Sequence, residues 1–232
     1  GNAVGDAFLL TNNRTGDQSS PMVSLLEDGN LAVIWKERVN EVKDVITLKI
    51  MSPDGEFLSE ELRIVDFTPA VGSDGNIPHM EVTQMTDGRF AVAWQQDLWP
   101  ADPDLDVEIQ SWFSIFNADG SLSSGPVQIA QPGGNGESNI HLVALPDGDM
   151  LVSWHDYDTV QSTQLFQVLG PDLVEKTDVF NSHQDFGAAV DFVSMPDGRV
   201  LVYLGGGASA WILDTRDPGV TQTGSALSDQ LV

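Results

Sequence analysis

The chain has 232 residues, with 10 Lys and Arg against 35 Asp and Glu, and a formal net charge of −25 at pH 7. This excludes nucleic acid as a partner, which calls for a clustered basic footprint, and it disfavours an anionic membrane surface. No apolar run reaches the ~18 residues of a membrane span, so no membrane insertion is expected. The absence of cysteine removes disulfides, thiolate metal sites and cysteine nucleophiles. With 41% hydrophobic residues the chain can bury a core, and residues 1–232 read as a single repeat domain.

Residues 5–13 read as an outer strand, with Phe8 in the place that Phe57 takes in the repeat that follows. Four repeats come next, at about 18–66, 77–131, 138–182 and 187–228. Each is built around an Asp-Gly pair: Asp28-Gly29, Asp87-Gly88, Asp147-Gly148 and Asp197-Gly198. Apolar residues precede each pair at matched offsets, as Val23/Leu26, Val82/Met85, Leu142/Leu145 and Phe192/Met195. Three and five residues after each Asp stand Leu31/Val33, Phe90/Val92, Met150/Val152 and Val200/Val202. Seven residues after it stand Trp35, Trp94 and Trp154, with Leu204 breaking the pattern in the fourth repeat.

Asp-Gly supplies the positive φ of a tight hairpin turn, and alternate residues share one strand face. The second half of each repeat is again strand, turn, strand. Its turns lie at Pro53-Asp54-Gly55, Asn117 to Gly120, Gly170-Pro171-Asp172 and Asp217-Pro218-Gly219. The predicted fold is therefore all-β: four repeats of a four-stranded antiparallel meander, forming a small, four-bladed β-propeller. A Trp at a fixed offset from a turn is expected to pack between blades.

The first repeat carries Gln18, Pro21, Val23, Leu26-Glu27-Asp28-Gly29 and Val33-Ile34-Trp35. This stretch resembles a repeat of very large secreted bacterial proteins of the RTX-like, haemolysin-type calcium-binding kind. The resemblance covers most of the chain and weakens toward the fourth repeat. It implies secretion or cell-surface display, calcium-rich surroundings and a binding or structural role, and it transfers no catalytic residue. The calcium-binding Gly-Gly-x-Gly-x-Asp nonapeptide of RTX proteins is not found; Gly133-Gly134-Asn135-Gly136 holds only half of it.

Several positions carry possible chemistry. In the loop after Gln96, Asp102, Asp104 and Asp106 alternate, and converging carboxylates suit Ca²⁺; a solvated acidic loop is the alternative. Trp99 in the same loop offers a platform for a glycan or a protein surface, unless it packs onto the blade. His155, Asp156 and Tyr157 follow Trp154 at a strand end that recurs in every repeat. They would ring one face of a propeller as a ligand site, or form an ordinary polar strand end. Glu81, His141 and Asp191 stand at one offset, six residues before their turn Asp, with Met22 in the first repeat. On innermost strands they would approach the axis and bind a cation or water. Two readings of function follow. One is a non-catalytic binding or display module of a secreted protein, possessing Ca²⁺-stiffened loops. The other is an extracellular polysaccharide hydrolase or lyase with its site on one propeller face. An enzyme should concentrate unlike, buried ionisable residues in one deep pocket, a display module should show shallow, blade-equivalent surfaces, and a third reading, a purely structural spacer, calls for neither a pocket nor an aromatic platform.

Overall fold

A computed structural model of the chain describes residues 7–12, 16–40, 43–68, 74–99, 102, 104, 108–129, 137–156, 163–181, 190–204, 210–216 and 221–222. They form four antiparallel sheets in chain order. The first holds β1 (Asp17–Leu25), β2 (Leu31–Asn40), β3 (Lys43–Met51) and β4 (Leu62–Phe67). The second holds β5 (Asp74–Asn76), β6 (Met80–Gln84), β7 (Phe90–Trp99), β8 (Glu108–Phe116) and β9 (Leu122–Gln128). The third holds β10 (Glu137–Ala144), β11 (Met150–Asp156), β12 (Thr163–Leu169) and β13 (Phe180–Asn181). The fourth holds β14 (Val190–Ser194), β15 (Arg199–Leu204), β16 (Ala210–Asp214) and β17 (Thr221–Gln222). Each sheet is a meander, and the four are the blades of a β-propeller. In the second blade the inner position is shared by β5 and β6, which pair with successive parts of β7. No helix among the described residues is long and apolar enough to cross a membrane.

The repeated Asp-Gly pairs sit where the sequence pattern places them, in three-residue loops between the first two long strands. In each, the glycine adopts φ between 84° and 93°, and Gly29, Gly148 and Gly198 donate their N–H to the carbonyl three residues back, as Gly29 does to Leu26 at 2.9 Å. The turn Asp accepts the N–H two residues on, as Asp28 does from Asn30 and Asp147 from Asp149. Only a residue without Cβ takes this φ at little cost, which is why the pair recurs.

Alternation along the strands gives the blades apolar faces that pack at three successive junctions. Ala32, Ile34, Ile46 and Leu48 meet Val82, Phe90, Val92 and Trp94. The other face of the second blade, with Ala91, Ala93, Phe113 and Ile115, meets Met150, Val152 and Trp154. Leu151, Phe166 and Val168 then meet Val200, Val202, Trp211 and Leu213. Trp94 and Trp154 thus face the preceding blade, as expected. In the fourth blade β15 carries no Trp, and Trp211 of β16, paired with Val202, fills the equivalent space. Trp35 lies in a smaller cluster with Val33, Met51 and Leu10.

Leu10 belongs to the segment expected to be an outer strand over 5–13. Its described part, residues 7–12, is not a strand. The outer edge of the first blade is already taken by β4, so this segment is held by side chains. Phe8 packs edge-on against Phe57 at 6.0 Å, and the Leu10 carbonyl accepts from Lys49 Nζ at 2.8 Å.

Charged clamps at the turns also tie blades together. Arg89 donates from Nε and Nη2 to the Asp87 carboxylate at 2.8 and 2.6 Å, and Nη2 also reaches the Pro171 carbonyl in the third blade at 2.9 Å. The bond from Arg89 holds the Asp87 carboxyl below its ordinary value of 3.8. Bonds to Arg199 and Arg216 do the same for Asp197 and Asp214. A carboxyl whose native pKa is lowered contributes stability that is complete above its unfolded value and is lost as pH falls through the native one. Stability is therefore expected to fall below about pH 4, with a shallower slope in Asp87→Asn. An acid unfolding series in which that variant keeps the parent slope would count against the clamp.

Candidate functional site

The inner strands break their regular pairing at a shared position, and the ionisable groups gather there. In β1 the register shifts between Ser19 and Met22, and in β10 between Ser138 and His141. Ser20 and Asn139 take positive φ of 53° and 57° at these bulges. In the second blade the corresponding interruption is residues 77–79, between β5 and β6. Bulges re-aim side chains and are common beside functional sites.

The sequence pins the 77–79 segment from both flanks. Ile77 is buried, its N–H donates to Asp44 Oδ2 at 3.0 Å, and its carbonyl accepts from Lys36 Nζ at 3.0 Å. Asp44 is itself buried and paired with Arg38. Two residues on, the His79 carbonyl accepts from Gln95 N–H at 3.0 Å. His79 and Glu81, two apart in an extended segment, point to the same side. That side faces β10 of the third blade.

There His79, Glu81 and His141 converge, all half-buried, each offering one ligand atom within 4.8 Å of the others. His141 Nδ1 lies 3.4 Å from Glu81 Oε2. The same Glu81 oxygen accepts the N–H of Leu142 at 3.1 Å. His79 Nε2 lies 2.9 Å from the carbonyl of Ile140. A carbonyl only accepts, so the His79 proton is on Nε2 and the free lone pair is on Nδ1. His79 and Glu81 are therefore anchored to the two backbone groups that bracket His141. The imidazoles meet edge to face at 5.7 Å, and His141 in turn meets the Phe192 ring of the fourth blade at 5.6 Å. Burial and the neighbouring His141 push the His79 pKa below 6.5, against a smaller opposing pull from Glu81.

The structure thus brings together Glu81 and His141 but not Asp191. Asp191 is exposed on the fourth blade and accepts from Tyr203 Oη at 2.6 Å, a bond that raises the Tyr203 pKa. His79, which the offset argument missed, takes the third place. Its signal was the two-residue spacing to Glu81. His155 is not on an exposed rim: it is fully buried in the third sheet, between Ser138 on one neighbouring strand and Gln164 on the other. Strands on both sides make position 155 an interior one. Asp156 ends β11, and Tyr157 lies outside the described residues. Trp99 ends β7 with 36% exposure. Asp102 and Asp104 are exposed, with Asp104 N–H donating to Asp102 Oδ1 at 3.1 Å; Asp106 lies outside the described residues.

A cleft of about 830 Å³ opens elsewhere, between the third and fourth blades, lined by Asp149, Lys176, Asp178, Thr215 and Arg216 among others. Its charges are largely spent on ion pairs, Lys176 with Asp149 at 3.1 Å and Arg216 with Asp214 at 2.7 Å. The inner-strand cluster is the more reactive arrangement: two imidazoles and a carboxylate, unlike in kind and fixed by backbone bonds.

No protein-family model matches the chain, and no curated protein matches it. Solved structures do. An α-L-arabinanase of Penicillium chrysogenum, solved with arabinobiose, superposes with a TM-score of 0.61 at 12% identity, over 87% of this chain and 63% of its own. A polysaccharide lyase described as an ulvan lyase superposes with a TM-score of 0.57 at 10% identity, over 87% of this chain and 54% of its own. The chain therefore spans under two thirds of the length of either neighbour, and at such identities the likeness is one of fold. It is the β-propeller that the four meanders build, here in a chain whose structural neighbours degrade polysaccharides.

Proposed function

We propose that this chain is the carbohydrate-acting propeller of a polysaccharide-degrading enzyme, with its reactive centre at His79, Glu81 and His141. The observation that carries this reading is the convergence of three half-buried, unlike ionisable groups from two adjacent blades. The fold of the arabinanase and the ulvan lyase supports the same reading. A polysaccharide substrate sets the work outside the cell, in keeping with the expectation of a secreted protein. Trp99 supplies a stacking platform for a sugar. It lies on β7, five residues past Trp94, which pairs with Met80 beside the cluster, and so about 16 Å along the strand.

The test is incubation of the chain with a panel of neutral and acidic polysaccharides, arabinan and ulvan included. New reducing ends are the read-out, and the ultraviolet absorbance of unsaturated products separates elimination from hydrolysis. Cleavage is expected, and His141→Ala should lower its rate about 100-fold or more, the scale of a lost acid–base group. Glycan binding without cleavage, unaffected by His141→Ala and weakened by Trp99→Ala, would instead make the chain a binding module.

A further inference from the structure

The donor set of the inner-strand cluster has a chemistry of its own. Two imidazole nitrogens and one carboxylate oxygen are the ligands of borderline divalent ions such as Zn²⁺. Calcium takes six to eight oxygens, and three donors of which two are nitrogen do not suit it.

We propose that His79, Glu81 and His141 form a binding site for a divalent transition-metal ion, Zn²⁺ by donor type, between the second and third blades. The inference deepens the reading given above and rests on the same cluster, but the metal is recognised by the ligands alone.

The geometry supports it in three ways. A tetrahedral ion with bonds of ~2.0–2.2 Å has ligand-to-ligand edges of roughly 3.3–3.5 Å. The His141 Nδ1 to Glu81 Oε2 separation, 3.4 Å, already has this length. A ring nitrogen of His79 lies within 4.8 Å of both, so the three side chains would have to draw together on binding an ion. Second, the outer partners of the ligands are in place. His79 Nε2 donates to the Ile140 carbonyl and Glu81 Oε2 accepts from Leu142 N–H. Metal-ligating imidazoles are characteristically oriented by such a bond from the other ring nitrogen, which leaves the remaining one to the metal. Third, three protein donors leave a fourth position open, the arrangement of sites that bind water or substrate rather than only brace a fold.

An ion pair between His141 and Glu81, with no metal, is the competing account of the same distances. The two differ in a direct measurement on the intact chain without any glycan. After treatment with a chelator, the protein is titrated calorimetrically with Zn²⁺ in excess Ca²⁺, and separately with Co²⁺ while the visible spectrum is recorded. Expected are one saturable Zn²⁺ per chain that Ca²⁺ does not displace, and the visible bands of Co²⁺ in a low-coordinate nitrogen and oxygen site. Glu81→Gln and His141→Asn should each weaken Zn²⁺ binding about 100-fold or more, since even outer partners of a metal site are worth 10–100-fold. Trp99→Ala should leave it unchanged. Should either cluster variant fail to fold by circular dichroism, the stoichiometry and Co²⁺ spectrum of the parent protein still decide. No saturable site, or a site whose affinity is the same in both folded variants, would overturn the proposal. Zn²⁺ binding by a chain that cleaves no polysaccharide would leave the metal site standing and remove the enzymatic reading. Cleavage by a chain that shows no saturable Zn²⁺ site would do the reverse.

Discussion

Trp154→Ala is expected to lower the unfolding free energy by about 3–5 kcal/mol, the range for truncating a buried Trp. Trp154 is fully buried on β11 and packs with Ala93, Phe113, Ile140 and Leu165 at the junction of the second and third blades. The loss has two parts. The transfer free energy that burial of the indole contributed to folding is lost. A cavity also remains, because the flanking strands are held by ladders on both sides and cannot collapse into it. The effect should extend to the cluster, since Ile140, whose carbonyl orients His79, lines the same pocket of packing. Chemical denaturation of the variant beside Trp99→Ala checks it. The exposed Trp99 should cost well under half as much. Equal losses at the two positions would mean that blade packing does not set stability in the way the clusters imply.

The second large effect is expected at Asp44, whose side chain is inaccessible to solvent. It serves two partners, the Arg38 guanidinium and the N–H of Ile77. Asp44→Ala strands a buried N–H, at about 1–3 kcal/mol, and removes the ion pair that Arg38 makes with Asp44. Breaking a fully buried pair costs about 3–5 kcal/mol, but Arg38 keeps 32% of its side chain in water and can be rehydrated there. A total of about 2–4 kcal/mol is expected. Asp44→Asn retains an acceptor for Ile77 and should recover part of it. Beyond stability, the substitution loosens residues 77–79, so Zn²⁺ affinity should fall although Asp44 is not a ligand. Urea unfolding and the Zn²⁺ titration together make the check. An Asp44→Ala protein of undiminished stability and undiminished metal affinity would contradict this account of how His79 is held.

These two residues show different degrees of legibility. Trp154 could be assigned from sequence because it repeats at a fixed offset from an Asp-Gly turn, and local repetition with a period of two is what a strand face requires. Asp44 carries no such mark. It is one of 35 acidic residues in the chain, and its role arises only when β3 brings it against Ile77, 33 positions away.

The same division runs through the site. Equal offsets before the turn nominated Glu81, His141 and Asp191, and the first two do meet. Asp191 shares the offset but is bonded to Tyr203 on its own blade, while Glu81 reaches across to the blade that follows. His79 entered because the inner strand of the second blade is interrupted, and its two-residue spacing to Glu81 becomes meaningful only when that interruption is placed. His155 looked like an open strand end because sequence shows one strand at a time, whereas the sheet supplies neighbours on both sides.

What the sequence by itself determined is the repeat: the turns, the alternating strand faces, the four meanders and the placing of Trp94 and Trp154, though not of Trp35, between blades. Those features depend on residues near one another along the chain, where backbone preference and side-chain periodicity act directly. What only the tertiary structure decided is which ionisable groups meet. That depends on the angle between blades and on bulges that turn single side chains, and neither leaves a periodic trace in the residues that it selects.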